Sequence, residues 1–219
     1  MQQTKVNYQR EMEKIISAIP QGARPRLLLH SCCGPCSSAV LEALIPHFDV
    51  AVFYDNPNIA PETEYQKRLE EQRRLLRQMP LAREVHLLCG VYDPQRFYAV
   101  AKGLEGEPEG GVRCTACFRL RLEATAKAAR EGGFAYFTTT LSVSPHKDAQ
   151  RINRLGGEIA QEHGVAYLYA DFKKKEGYKR SIALSREYDL YRQDYCGCVY
   201  SLAAAKSSLQ GGTSIFTKR

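Results

Sequence analysis

The residues best equipped for chemistry in this chain are its cysteines. Seven of the eight fall in three short motifs. Cys32, Cys33 and Cys36 lie in HSCCGPCSS, Cys114 and Cys117 in RCTACFRLRL, and Cys196 and Cys198 in QDYCGCVYS. In a reducing compartment, clustered thiols read as metal ligands or redox groups before they read as structural disulfides. Adjacent Cys32 and Cys33 do not easily bridge to each other. In an irregular loop, though, their sulfurs can be aimed at one cluster or at two neighbouring metals. Cys36 falls at an expected helix N-terminus, where the dipole favours thiolate. A C-x-x-C pair such as Cys114 and Cys117 suits zinc, iron–sulfur or a dithiol. The arginines around it (Arg113, Arg119, Arg121) would favour anionic sulfur or a phosphate backbone, or simply form a solvated helix face. A disulfide between Cys196 and Cys198 would close a small strained ring and be easily reduced. The same two sulfurs can instead hold one metal. Cys89 stands alone and reads as core packing.

These thiols need elements to position them. Short apolar runs predict strands at Arg26–His30, Val50–Tyr54, Glu84–Leu88, Phe134–Thr138 and Ala166–Ala170. Helical periodicity follows most of them, over Ser37–Ile45, Pro61–Met79, Thr115–Arg130 and Asp148–His163. Alternating strands and helices imply an α/β fold, a parallel sheet with helices on both faces. Ligands of such sheets bind at the carboxyl ends of the strands. SCCGPCSS, Asp55–Asn58, Cys89 and TTTLSVSPHKD each follow or end a predicted strand there. Zinc fingers instead show neatly spaced pairs around a small module. The spread of these cysteines over an α/β domain is active-site geography. We expect an N-terminal helical extension over 1–24, a catalytic domain over 25–206 and a tail over 207–219. Lys102–Val112, rich in Gly and Glu, reads as a surface loop.

The 219 residues suit one domain, with 44% hydrophobic and 25% charged residues. No apolar run reaches the roughly 18–20 residues that span a bilayer, and MQQTKVNYQREMEKII lacks the apolar stretch of a signal peptide. The expectation is a cytoplasmic protein with no membrane partner. The net charge of +7, with a pI near 9.0, is compatible with a polyanion such as RNA. The basic run of Lys173, Lys174, Lys175, Lys179 and Arg180, with Arg186 and Arg192 beyond it, is the candidate phosphate contact.

Taken in order, LLLHSCCGPCSS, FYDNPNIAPETEYQKRLEEQ, GVRCTACFRLRLE, TTLSVSPHKD and YKRSIALSREYDLYRQDYCGCVYS resemble the QueH-type epoxyqueuosine reductases. The resemblance covers roughly residues 25–202. It implies a Rossmann-like, HUP-like fold of the nucleotide-binding α/β group that includes tRNA-thiolating enzymes. It implies reduction of the epoxide of epoxyqueuosine to the alkene of queuosine, at the wobble position of a tRNA anticodon, without cobalamin. It further implies that Cys32, Cys33, Cys114 and Cys117 hold a [4Fe–4S] cluster. Cys196 and Cys198 would form a redox-active pair, or join Cys36 around a second, mononuclear iron. Asp194 and Asp55 are the candidate carboxylates for that second metal.

The implied reaction takes two electrons and two protons and releases water, so an external one-electron donor must deliver twice. An acid must reach the epoxide oxygen. Asp194, Tyr195 and His146 are the candidates. A splayed base would stack on an aromatic ring; Tyr54, Phe118, Tyr178, Tyr191, Tyr195 and Tyr200 lie in or near the motifs, although most such rings are core. Two readings compete. An ATP-dependent tRNA-thiolating enzyme would need a glycine-rich S-G-G-x-D-S loop where this chain has SCCGPCSS. A zinc-stabilised RNA-binding protein would be colourless rather than brown.

Overall fold

The structure, a computed structural model, describes residues 5–210. It is built on five parallel strands. β1 (Arg26–His30) is central, with β2 (Asp49–Tyr54) and β3 (His86–Cys89) on one side and β4 (Tyr136–Thr139) and β5 (Ala166–Tyr167) on the other. The order β3-β2-β1-β4-β5 and the all-parallel pairing are those of a Rossmann-like sheet.

Side chains alternate along β1, so its apolar run serves two cores. Leu27 and Leu29 face one cluster with α2 (Gly34–Leu44) and α3 (Glu62–Gln78), through Val40, Leu41, Leu75 and Leu76. Leu28 faces the other, with α5 (Val112–Glu131) and α6 (Ala149–His163), through Phe118, Leu122, Ile152 and Ile159. Helices therefore cover both faces. The N-terminal helix α1 (Tyr8–Ser17) buries Met12 in the first cluster.

Where expected and observed boundaries differ, local chemistry explains it. α2 begins at Gly34 rather than Ser37, with Pro35 in its first turn. Ser37 is not a cap, because its hydroxyl is spent on Gln72 Oε1 at 2.8 Å and the Cys33 carbonyl at 3.0 Å. β5 stops at Tyr167, yet its continuation stays ordered. Thr138 Oγ1 donates to the Leu168 carbonyl, and the Asn153 amide takes both the N–H and the C=O of Ala170. Side chains replace the ladder there.

Three helices were not foreseen: α4 (Pro94–Ala101), α7 (Gly177–Glu187) and α8 (Val199–Gln210). α4 had a signal, Asp93 before Pro94; the Asp93 carboxylate accepts from the Gln95 N–H at 3.0 Å. α8 runs past residue 207, and residues 211–219 of the expected tail lie outside the described residues. Lys102–Val112 is a loop as expected, up to the start of α5. Cys89 is a correction: it is exposed, not core. β3 is an edge strand with an exposed burial pattern, and no element covers its outer side among the described residues.

Candidate metal and active site

The strand order reverses direction at β1, between β2 and β4, and Cys32 leaves β1 at that point. Its N–H donates to Thr140 Oγ1, just beyond β4, at 3.2 Å, and the Thr140 hydroxyl points back to Cys32 Sγ at 3.4 Å. The chain then enters α2 with Cys33 at the N-cap and Cys36 inside the first turn. This turn gathers the sulfurs of Cys32, Cys33 and Cys36 within 4.8 Å of one another.

A second group forms where α5 starts. Cys114 sits in its first turn and Cys117 in its second. They line a small cavity of about 20 Å³ together with Cys196 and Cys198, which precede α8. Cys196 also lines a larger cavity of about 480 Å³, shared with Cys32, Cys36, Arg121, His146, Lys147 and Asp194. Seven thiols from three segments thus converge on one end of the sheet. All carry free thiols, and no disulfide joins Cys196 to Cys198.

The segment carrying Cys196 is tied to α3. Arg68 reaches the carbonyls of Tyr195 and Cys196, Glu71 accepts from the Tyr191 N–H at 2.8 Å, and Arg74 donates to the Tyr188 carbonyl at 3.0 Å. Gly197 adopts φ +125°, a conformation open only to glycine.

Electrostatics divide the first three thiols. Hydrogen bonds from Cys33 and Cys36 hold the Cys32 thiol well below its ordinary range, helped by Lys147 and Arg121. Cys33 is pushed up to about 11 by its bond to Cys32 and by burial. The three therefore share one negative charge more readily than three. Burial raises Cys117 to about 12 and also raises Cys114, against a hydrogen bond from the Gly110 N–H at 3.2 Å. An apolar site that resists thiolate alone becomes favourable once a cation supplies the opposite charge.

The donor set fits a soft metal or an iron–sulfur cluster, because it is all sulfur. Two buried amide oxygens at the site lack a partner among the described residues: Asn58 Oδ1, in the small cavity, and Gln193 Oε1. Gln193 meanwhile donates its Nε2 to Cys33 Sγ at 2.9 Å.

The structure sorts the remaining candidates. Asp194 lines the larger cavity beside Cys32, Cys36 and Cys196. Asp55 is turned elsewhere, in a two-pronged ion pair with Arg96 at 3.0 and 3.1 Å. Tyr195 lines the cavity too, but its hydroxyl donates to the Ala60 carbonyl at 3.0 Å. His146 lines the mouth. Of the three arginines around the C-x-x-C motif, Arg113 clamps the carbonyls of Leu104, Glu105 and Glu107. Arg119 pairs with Glu123, Glu158 and Glu162. Arg121 faces the thiols of Cys117, Cys32 and Cys196, and Arg113, though its guanidinium clamps the loop, also lines the small cavity. In the basic run, Lys173 pairs with Asp171, Lys175 with Glu13, Lys179 with Glu176 and Arg180 with Glu42. Most of the aromatics are structural: Tyr54 bonds to the Tyr65 carbonyl, Tyr191 to Glu64, and Tyr200 lies against Arg113. Tyr178 lines the larger cavity, with Arg192 over its ring at 5.9 Å, and Phe118 lines the small one.

Sequence reasoning quoted the motif SPHKD but passed over Lys147, which faces Cys196, Cys32 and Cys36 across the cavity. It also missed Gln193 and Asn58. Neutral amides carry no sequence signal of their own.

The chain is similar to known proteins over most of its length. A family model described as epoxyqueuosine reductase QueH matches residues 27–204. The chain is 45% identical over 206 residues to epoxyqueuosine reductase QueH of Staphylococcus epidermidis, covering 92% of this chain and 87% of that protein. It is 42% identical over 200 residues to the protein of the same name from Streptococcus pyogenes serotype M1, covering 90% and 78%. With that of Thermotoga maritima it shares 35% over 179 residues, 80% of this chain and 90% of the relative. By its fold, its motifs and these matches, the chain belongs to the QueH family of epoxyqueuosine reductases.

Proposed function

We propose that this protein reduces epoxyqueuosine to queuosine in the anticodon loop of tRNA, using thiolate-bound iron and no cobalamin. The observation that carries the reading is the convergence of seven thiols beside a cavity of about 480 Å³. The names of the relatives supply the reaction. Among the described residues, no helix is long and apolar enough to cross a membrane. Our reading keeps the chain in the cytoplasm, with an external one-electron donor.

We assign Cys32, Cys33, Cys114 and Cys117 to a [4Fe–4S] cluster, with Cys36, Cys196 and Cys198 beside it for a second iron or a redox pair. Bound iron would supply single electrons and a Lewis acid for the epoxide oxygen. The protein's own part is to bind and orient. The larger cavity takes the modified base, with Tyr178 as its stacking surface and Asp194 as the acid for the leaving oxygen. Asp194 is also the carboxylate best placed to share a second metal. A specific observation favours another division of the thiols. Cys36 stands with Cys32 and Cys33, while Cys114 and Cys117 share a cavity with Cys196 and Cys198.

Anaerobic reconstitution, with iron and sulfide counted in wild type, Cys36→Ala, Cys114→Ala and Cys196→Ala, separates the two. Loss of four iron atoms only in Cys114→Ala supports the first division. Equal loss in Cys196→Ala supports the second. A colourless protein with stoichiometric zinc, unable to convert epoxyqueuosine tRNA in cobalamin-free buffer, would end the reading.

A further inference from the structure

Arg121 is a cation without a carboxylate. It lies one turn beyond Cys117 on α5 and is 1% exposed. Its Nη2 donates to Asn56 Oδ1 at 2.6 Å and its Nε to His30 Nε2 at 3.3 Å. A guanidinium has no acceptor, so its contact with His30 needs a ring whose Nε2 accepts; the same Nε2 lies 3.3 Å from the Asp55 carbonyl, and Nδ1 lies 2.9 Å from Thr139 Oγ1. Both partners are therefore neutral.

The ion pairs of the described residues include neither Arg121 nor Lys147. The groups that face Arg121 are sulfurs, those of Cys117, Cys32 and Cys196. Lys147, on the cavity wall opposite, faces Cys196, Cys32 and Cys36. Two cations thus share one cavity and repel each other. A buried charge without a partner is expensive to keep. Negative charge on the thiols between the cations would offset that cost, most of all at Arg121, since Lys147 is only half-buried.

We propose that Arg121 and Lys147 form a counter-ion pair for the thiolate-bound metal centre and set the potential at which it accepts an electron. The proposal rests on the reading of these thiols as metal ligands. A metal held by several thiolates is a net anion, and one more electron makes it more so. Nearby fixed cations stabilise the reduced form more than the oxidised form. They act as positioning and tuning residues, since neither needs to touch the substrate.

The test uses the reconstituted full-length protein, titrated with dithionite and mediators and followed by absorbance and electron spin resonance. Arg121→Met and Lys147→Met remove a charge at nearly constant volume; Arg121→Lys keeps it. Both Met variants are expected to shift the midpoint to more negative potential, with Arg121→Lys close to wild type. Thermal unfolding of the metal-free proteins supplies a control that a merely structural role would move. Arg121→Met should unfold close to the wild-type temperature, because losing an unpaired buried charge offsets the acceptors left open at Asn56 and His30. An unchanged midpoint in both Met variants, or an equal shift in Arg121→Lys, would overturn the proposal. If the wild type takes up no iron, the reading of an iron–sulfur enzyme fails, and zinc answers for the counter-ion pair. Zinc affinity, measured against a chromophoric chelator, should then drop about 10- to 100-fold in Arg121→Met and far less in Arg121→Lys. Equal affinities would sink the pair as well.

Discussion

Arg68 donates from Nη1 to the carbonyl oxygen of Cys196 at 3.1 Å, across 128 residues of sequence. Its side chain is 1% exposed, and its Nε is held by Glu64 at 2.7 Å. One helix of the scaffold therefore fixes the height of the C-x-C turn. Arg68→Met should cost on the order of 3 kcal/mol, because Glu64 and two carbonyls lose their donor. The urea midpoint measures that cost. Iodoacetamide should also label Cys196 faster in the variant. Unchanged stability and labelling would mean that the turn holds itself.

Gly197→Ala tests the same turn from the other side. The backbone is at φ +125°, and an added Cβ would lie 3.0 Å from both Arg68 Nη1 and Ile59 Cγ1. Strain of this kind costs about 1–3 kcal/mol. The denaturant midpoint should fall by that much, and iron uptake should fall with it. Gly106→Ala, where nothing lies within 4 Å, is the control and should be close to neutral.

Glu71 gives the segment an acid limit. Burial alone would raise its carboxyl, but Arg74 and the Tyr191 N–H outweigh burial and hold it below 4.5. The unfolded chain therefore binds the proton more readily than the folded one. The stabilisation is fully present above about pH 4.5 and is lost as pH falls below it. Glu71→Gln should melt lower than wild type at pH 7, with the gap narrowing towards pH 4. A gap that is constant with pH would contradict the assignment.

If the basic run meets phosphate, affinity for tRNA should fall steeply between 50 and 200 mM salt, as in about 10³–10⁵-fold for six to ten contacts. Ion pairs already engage Lys173, Lys175, Lys179 and Arg180. Lys174→Gln should therefore reduce the salt slope by nearly one, and Lys179→Gln by less. Filter binding over a salt series reads both. Equal slopes in both variants would place the phosphate contacts elsewhere.

Much of this site was legible in the sequence because its signals are local. RLLLH is apolar without alternation, as a strand buried on both faces must be, and the thiol motifs sit at strand ends. What was not legible depends on partners far away. Ser37 looked like the start of a helix, yet the helix begins three residues earlier and Gln72, on another helix, takes the Ser37 hydroxyl. Cys89 looked like core because an edge strand and a central strand share the same apolar composition. Arg113, Arg119 and Arg121 lie on one helix within three turns, yet one clamps a loop, one pairs with carboxylates and one faces sulfur. Periodicity places each on a face of α5. Only the packing of α6 and the 102–111 loop decides what each face meets.

The spread of the seven thiols along the chain also sets a timetable. The ribosome releases Cys32 with the first strand of the sheet and Cys196 only after the fifth. At roughly 5–20 residues per second, that interval is on the order of ten seconds or more. Throughout it, the early cysteines wait without their late partners and without the wall that α8 and its preceding turn provide. Metal loading thus belongs to the end of synthesis, and a nascent chain meeting oxygen has its early thiols bare for that whole period.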